Sequence, residues 1–291
     1  MEPLASSDAP AAGAAVSPRS TNRPSLLKLI GGIGLATGLF LLKLKAVLLL
    51  VLTKFKWLFV NPFEGFSIGS LLVTAGSMFL TIAAYVVKTG WWRFALGFVL
   101  LTLVHEVGHA LMMRRKGLRV AAMLFIPFIG GAVTPRDPPR TAYDDAQIGF
   151  AGPILGTIAS LMTLIWFTAF EDPVYLLIAY AGFIINLLNL LPVGVLDGGK
   201  ISAAITKWTW VFGGLVLLYM MIRWTSPLLL LILLLTGFQI YKAVTEVRDD
   251  VYYEISAAQR TAVAVLYFGL VIFLGYLSYL THDCLLLLQS L

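Results

Sequence analysis

Two histidines and a glutamate stand together in the stretch His105-Glu106-Val107-Gly108-His109. On a helix, His105 and His109 lie one turn apart on the same face, with about 5–6 Å between their Cβ atoms. Both imidazoles can then bind one zinc ion at about 2.0–2.1 Å. Glu106 projects about 100° away from His105, beside the metal, where it can take a proton from water as general base. The spacing therefore predicts one half of a hydrolytic zinc site.

The alternative is a histidine pair satisfied inside an ordinary core. The chain has three histidines in 291 residues, so a chance match to this spacing is rare. The surrounding run is apolar, and a charge at the centre of a membrane helix costs about 2.5–3.5 kcal/mol. Ionisable groups in such a run usually have a function, which favours the metal site.

Composition indicates an all-α polytopic membrane protein. Hydrophobic residues make up 59% of the chain and charged residues 12%, about half the share in soluble domains. Apolar runs of about 20 residues recur and predict a bundle of about 7–8 transmembrane helices in a lipid bilayer. The net charge of +6 falls mainly in loops between these runs, so we expect no nucleic-acid partner. The single cysteine, Cys284, excludes an intrachain disulfide and a cysteine zinc cage.

The chain divides into three parts. Residues 1–25 are rich in Ala, Ser and Pro and predict a disordered tail rather than a cleaved signal peptide. Residues 26–65 are apolar but interrupted by lysines, and predict a membrane-associated or spanning segment. Residues 66–291 hold the clear spans. These are Phe66–Val87, Trp91–Met113, Gln147–Ala169, Pro173–Leu191, Trp208–Ile222, Ser226–Ala243 and Ala262–Leu280.

Lysine and arginine residues orient these spans. Eleven fall in loops on one side of the predicted membrane and three on the other. The richer side is cytosolic by the positive-inside rule. His109 then lies about one helical turn from the cytosolic end of its span, which predicts a site inside the bilayer towards the cytosol.

A third zinc ligand is needed, because catalytic zinc typically has three protein ligands plus water. The predicted spans place Asp197 on the same side of the membrane as His109 and place His282 on the opposite side. Asp197 can instead cap the helix that follows it, with Gly198 and Gly199 forming a turn. The two roles of Asp197 are compatible.

Two motifs resemble the site-2 protease family of intramembrane zinc metalloproteases. They are His105-Glu-Val-Gly-His109 and Asn189-Leu-Leu-Pro-Val-Gly-Val-Leu-Asp-Gly-Gly199. Phe150-Ala-Gly-Pro-Ile-Leu-Gly156 is similar to the family's Gly-Pro element. The resemblance implies a metalloprotease domain over residues 66–291, with a catalytic core at about 91–207.

Carried onto this chain, the resemblance implies one zinc ion on His105, His109 and Asp197, with Glu106 activating water. It places Asn189 near the substrate or the oxyanion, where an amide donor is useful in a water-poor site. Asn186, one turn earlier, is the alternative polar residue. The implied substrate is a membrane protein cleaved in or near its transmembrane helix.

The segment 121–134 resembles the family's short membrane-embedded β-hairpin. It is too short and too broken by Pro127 and glycines to span a bilayer. An edge strand at Gly130, Gly131 and Ala132 could pair with an unwound substrate segment through main-chain hydrogen bonds. The chain departs from relatives at Gly194, where a second proline is frequent, and at Lys200, where we would often expect histidine.

Two other functions compete with the protease. A catalytically silent family member could act as a membrane scaffold, but such a member usually loses a site residue. A transporter would be expected to carry more intramembrane charges than Glu106 and Asp197, or broken helices in two repeated halves.

Overall fold

The computed structural model describes residues 68–290 except 207, 225 and 246–249. Within these residues the chain is mainly helical, with one two-stranded hairpin. The elements in chain order are α1 (Ile68–Thr89), α2 (Trp92–Arg115), β1 (Leu124–Ile126), β2 (Gly130–Ala132), α3 (Ala142–Phe170), α4 (Pro173–Asn189), α5 (Asp197–Ala203), α6 (Thr209–Arg223), α7 (Pro227–Thr245), α8 (Asp250–Tyr253) and α9 (Ala257–Gln289).

Four of these helices are long and apolar enough to cross a membrane: α1, α2, α3 and α9, with 22, 24, 29 and 33 residues. The helices α4 and α6 and the apolar part of α7 are shorter. This confirms the prediction of a polytopic helical membrane protein, and the number of helices is close to the predicted seven or eight. The predictions for residues 1–25 and 26–65 lie outside the described residues.

Helix α3 is at the centre of the packing and contacts α2, α4 and α5. Small residues let these helices approach closely, as in other membrane bundles. A Cβ atom on Gly108 of α2 would lie 3.1 Å from the Cα of Gly152 on α3 and would collide with the carbonyl of Ala151. The side chain of Thr141 caps α3 by accepting a hydrogen bond from the N–H of Asp144 at 3.1 Å. The packing therefore brings the histidine-bearing part of α2 directly against the first half of α3.

The predicted hairpin within 121–134 is confirmed as the antiparallel strands β1 and β2. Its turn requires unusual backbone angles, since φ is +64° at Phe128 and +125° at Gly130. Helix α1 covers the outer edge of β1. Ser77 of α1 accepts a hydrogen bond from the N–H of Phe125 at 3.2 Å, and Thr74 donates to the carbonyl of Met123 at 2.9 Å. One edge of the hairpin is thus occupied by side chains of the bundle.

Candidate metal centre and active site

His105, His109 and Asp197 come together in the buried interior of the described bundle. Oδ2 of Asp197 lies 3.1 Å from Nε2 of His105 and 3.0 Å from Nε2 of His109. The two Nε2 atoms are 3.0 Å apart. All three side chains are buried, with 4–6% of each residue exposed. The motif on α2 and the start of α5 therefore present three donor atoms to one point.

Asn186 orients the imidazole of His105. The amide Nδ2 of Asn186 donates to the carbonyl of Gly182 at 2.7 Å, which leaves its Oδ1 to face Nδ1 of His105 at 2.8 Å. Because Oδ1 can only accept, Nδ1 of His105 carries the proton. Nε2 of the neutral ring then has a free lone pair that points at the other two donor atoms.

His109 is oriented in the same way by a backbone group. Its Nδ1 lies 2.7 Å from the carbonyl oxygen of Ile148 on α3, and a carbonyl only accepts. When both rings are neutral, the two Nε2 atoms and Oδ2 of Asp197 are therefore all hydrogen-bond acceptors. None of the three atoms carries a proton that it could donate to the others. Such a set is stable when a cation lies among its members.

The donor set fits zinc. Imidazole nitrogen and carboxylate oxygen are both zinc ligands, and three protein donors are the number that catalytic zinc sites use. Bonds of about 2.0–2.1 Å at tetrahedral angles separate donor atoms by about 3.3–3.4 Å. The observed separations of 3.0–3.1 Å are close to that value. The site therefore fits one zinc ion as cofactor.

Two glycines of α3 make room for this arrangement. A Cβ atom on Gly152 would collide with Nε2 of His109 and lie 2.8 Å from Nε2 of His105. A Cβ atom on Gly156 would collide with the amide of Asn186. The sequence showed these positions only as part of the Gly-Pro element, without a role. The structure indicates that they are glycines because the ligands and their partner occupy the space of a side chain.

The interpretation of Asp197 as a helix cap is wrong. Helix α5 begins at Asp197, its N-cap is Leu196, and no side chain caps it. Gly198 and Gly199 lie inside α5 with negative φ, so they do not form a turn. Cβ atoms there would collide with the carbonyls of Leu190 and Val193 respectively. The carboxylate of Asp197 instead turns towards the histidines, and the glycines let α5 pack against its preceding loop.

Later parts of the chain hold the segment that carries Asp197. Tyr267 of α9 donates to the carbonyl of Leu190 at 2.7 Å, where the loop before α5 begins. Trp210 of α6 donates through Nε1 to the carbonyl of Gly199 at 2.8 Å. Arg260 of α9 donates to the carbonyl of Ala204, at 3.2 Å, just beyond α5. These contacts fix both ends of the segment, and no sequence motif indicated them.

Glu106 lines a small cavity beside the histidines. The cavity has a volume of about 30 Å³, enough for water. The residues that line it are Thr102, His105, Glu106, Ile129, Gly130, Gly131, Ile185 and Asn189. The side chain of Glu106 lies against β2, since a Cβ atom on Gly131 would be 2.6 Å from Cγ and 2.7 Å from Oε1 of Glu106. The carboxylate, one metal ligand and the hairpin therefore share one space.

The two asparagines of α4 occupy different places. Asn189 lines the cavity with Glu106, whereas Asn186 is buried outside this lining and bonds His105. Of the three residues expected on the edge strand, Gly130 and Gly131 line the cavity, and Ala132 lies on β2 opposite Leu124. His282 lies apart from the ligand cluster, with its ring 5.6 Å from that of Tyr180.

The outer edge of β2 presents the main chain of Gly131. Opposite residues in an antiparallel pair alternate between hydrogen-bonded and non-hydrogen-bonded pairs. The N–H of Phe125 points to Ser77 of α1, so Phe125 and its partner Gly131 form a non-hydrogen-bonded pair. The N–H and C=O of Gly131 therefore point away from β1.

The fold is that of a polytopic helical membrane protein, and it carries a buried three-donor metal site. Residues 93–172 match the model of peptidase family M50, the site-2 protease family, which confirms the resemblance drawn from the motifs. The chain is also 27% identical over 107 residues to a zinc metalloprotease of Methanocaldococcus jannaschii. That match covers 35% of this chain and 31% of the relative, so the chain aligns with about a third of the relative's length.

Proposed function

We propose that this protein is an intramembrane zinc metalloprotease that hydrolyses a peptide bond in or near the transmembrane segment of a membrane protein. The observation that carries the proposal is the position of Glu106. Its carboxylate lines a water-sized cavity together with the metal ligand His105 and with the edge strand β2. A base, a metal centre and a peptide-binding edge are the parts that metal-dependent cleavage of an extended peptide uses.

The proposed roles follow from the chemistry of each side chain. Zinc, when bound by His105, His109 and Asp197, supplies a Lewis acid that polarises a carbonyl and makes water more acidic. Glu106 removes the proton from the attacking water and can pass it to the leaving amine. Asn189, across the same cavity, donates an amide N–H to the oxygen on which negative charge develops.

The substrate is proposed to bind as an additional strand on β2. A helical peptide has its main-chain groups bonded internally, so it must unwind before it can be cleaved. The N–H and C=O of Gly131 point away from β1 and can exchange hydrogen bonds with one substrate residue. Because Gly131 also touches Glu106, the scissile bond would lie within about one residue of that pair.

The site is proposed to lie within the bilayer towards the cytosol. His109 is buried near the end of α2, and the following residues Arg114 and Arg115 close that helix. The excess of positive charge in the adjoining loops supports a cytosolic location for this end.

Cleavage by the purified protein in liposomes tests the proposal. The wild type is expected to contain one zinc per chain and to cut a single-span substrate, and Glu106→Gln should reduce kcat by about 10²–10⁴-fold while zinc is retained. Glu171→Gln, at the exposed end of α3, is the matched control and should cleave as the wild type does. Absence of zinc, or undiminished cleavage by Glu106→Gln, would contradict the proposal that this protein is a zinc protease.

A second experiment tests the binding mode. Substrates are synthesised with one N-methylated peptide bond at successive positions around the cleavage site. A methyl group on the residue that pairs with Gly131 should abolish cleavage of the substrate. A methyl group on the next residue should have a smaller effect, because the N–H of that residue points away from β2. Equal effects at all positions would contradict strand addition while leaving the metal chemistry intact.

A further inference from the structure

The two carboxylate oxygens of Asp197 face different groups. Oδ2 lies 3.0–3.1 Å from the Nε2 atoms of both histidines. Oδ1 lies 3.4 Å from Nζ of Lys200, which follows Asp197 by three residues on α5. Residues with this spacing are neighbours on a helix surface, so the backbone of α5 itself places the ammonium beside Oδ1.

Lys200 is held in a defined environment. The side chain is about one-third exposed, at 32%, whereas that of Asp197 is 8% exposed. Helix α3 packs along the base of the lysine, since a Cβ atom on Gly149 would lie 3.5 Å from the Cβ of Lys200. Asp145 of α3 adds a second negative charge near the ammonium, and Asp145 in turn accepts a hydrogen bond from Tyr252 at 2.8 Å. The ammonium thus pairs with Asp197 on its own helix and lies in the field of a second carboxylate on α3.

A carboxylate can bind a metal ion through one oxygen or through both. Catalytic zinc has three protein donors and keeps a fourth position for water or substrate, and a second oxygen from Asp197 would compete for that position. We propose that Lys200 is a positioning residue that engages Oδ1 and so makes Asp197 a one-oxygen ligand. This inference rests on the proposed zinc site.

The coordination of a bound metal tests this role independently of cleavage. Cobalt(II) replaces zinc in the purified protein, because its visible absorption is several-fold stronger with four ligands than with five. The wild type should show the strong four-coordinate spectrum. Lys200→Met keeps the apolar stem without the charge and should show the weaker spectrum, with kcat about 10–100-fold lower and KM little changed. Lys200→Arg, which keeps the charge, should restore both.

Two further variants control the result. Lys116→Met removes a different ammonium, which pairs with Asp144 at 2.6 Å and does not contact the metal ligands. This variant should leave the spectrum and kcat unchanged. Lys200→Gln is measured in case methionine disturbs folding, and the same weaker spectrum is expected. A wild-type spectrum and kcat in both neutral Lys200 variants would overturn the inference. If the wild type binds cobalt but cleaves no substrate, the protease proposal fails, and the spectra still decide the role of Lys200.

Discussion

The amide oxygen of Asn186 lies 2.8 Å from Nδ1 of His105, and the amide nitrogen is committed to the carbonyl of Gly182 at 2.7 Å. The bond from Asn186 to Gly182 determines the direction of the bond between Asn186 and His105. A backbone carbonyl on α4 thereby determines which nitrogen of a ring on α2 is free to bind metal. Partners of this kind fix the orientation of a ligand and its basicity.

Asn186→Leu should therefore weaken zinc binding by about 10–100-fold, because Nδ1 of His105 loses its acceptor and the ring is free to rotate. The measurement is competition for zinc with a chelator of known affinity. Thr281→Val is the control, since Thr281 is also buried but bonds only within α9. Equal zinc affinity in Asn186→Leu and the wild type would show that packing alone orients His105.

Alanine at Gly131 should impair catalysis and spare the metal. The added Cβ atom would lie 2.6 Å from Cγ of Glu106, so the carboxylate must move. A displacement of about 1 Å can cost about 10²-fold in rate, and we expect that loss in kcat with a normal zinc content. Gly76→Ala, where no atom lies within 4 Å of the new Cβ, is the control. A normal kcat in Gly131→Ala would mean that Glu106 tolerates displacement.

Gly152→Ala, in contrast to Gly131→Ala, should weaken zinc binding. Its Cβ atom would occupy space between the Nε2 atoms of His105 and His109, so the donors must separate. We expect zinc affinity to fall by more than about tenfold, measured by the same chelator competition. Retention of zinc at wild-type affinity would indicate that α3 can shift away from α2 at this point.

Tyr267→Phe tests the support of the Asp197 segment from α9. The substitution leaves the buried carbonyl of Leu190 without the hydroxyl that donates to it at 2.7 Å. A buried acceptor without a partner costs about 1–3 kcal/mol, so we expect a lower free energy of unfolding in detergent and a lower zinc affinity. Tyr279→Phe, on an exposed part of the same helix, should change neither quantity. Lower stability with unchanged zinc affinity would restrict Tyr267 to a packing role.

The ion pair between Arg119 and Asp137 predicts that the stability of the hairpin depends on pH. Arg119 donates two hydrogen bonds to Asp137, each at 3.0 Å, and its guanidinium lowers the pKa of that carboxyl below the usual 3.8. The pair therefore stabilises the hairpin above pH 3.8, and the effect disappears as the pH falls through the lowered pKa.

Hydrogen exchange of the hairpin amides measures this effect. Arg119→Leu should speed exchange relative to the wild type at neutral pH, and the two proteins should converge in acid once Asp137 is protonated. A difference that persists unchanged in acid would assign the role of Arg119 to contacts other than this ion pair.

Much of the site could be predicted from local sequence, because spacing along one helix fixes geometry. His105 and His109 share a face of α2 wherever that helix lies, and Glu106 follows from the same periodicity. The residues of 121–134 showed that this short segment, broken by Pro127 and glycines, cannot span a membrane, whereas the hairpin itself was expected from the family resemblance. Hydropathy located the helices for the same reason, since a bilayer requires long apolar runs.

The tertiary structure decided everything that depends on contacts between distant segments. The bond from Asn186 to His105 joins residues 81 apart in sequence, and that from Tyr267 to Leu190 joins residues 77 apart. A carboxylate near a glycine pair is equally compatible with a helix cap and with a metal ligand. Only the packing of α5 against α3 directs Asp197 to the histidines. The sequence alone thus determined which groups could do the chemistry. Their partners depended on helix packing, because the close approaches at Gly152 and Gly156 have no local signature in the chain.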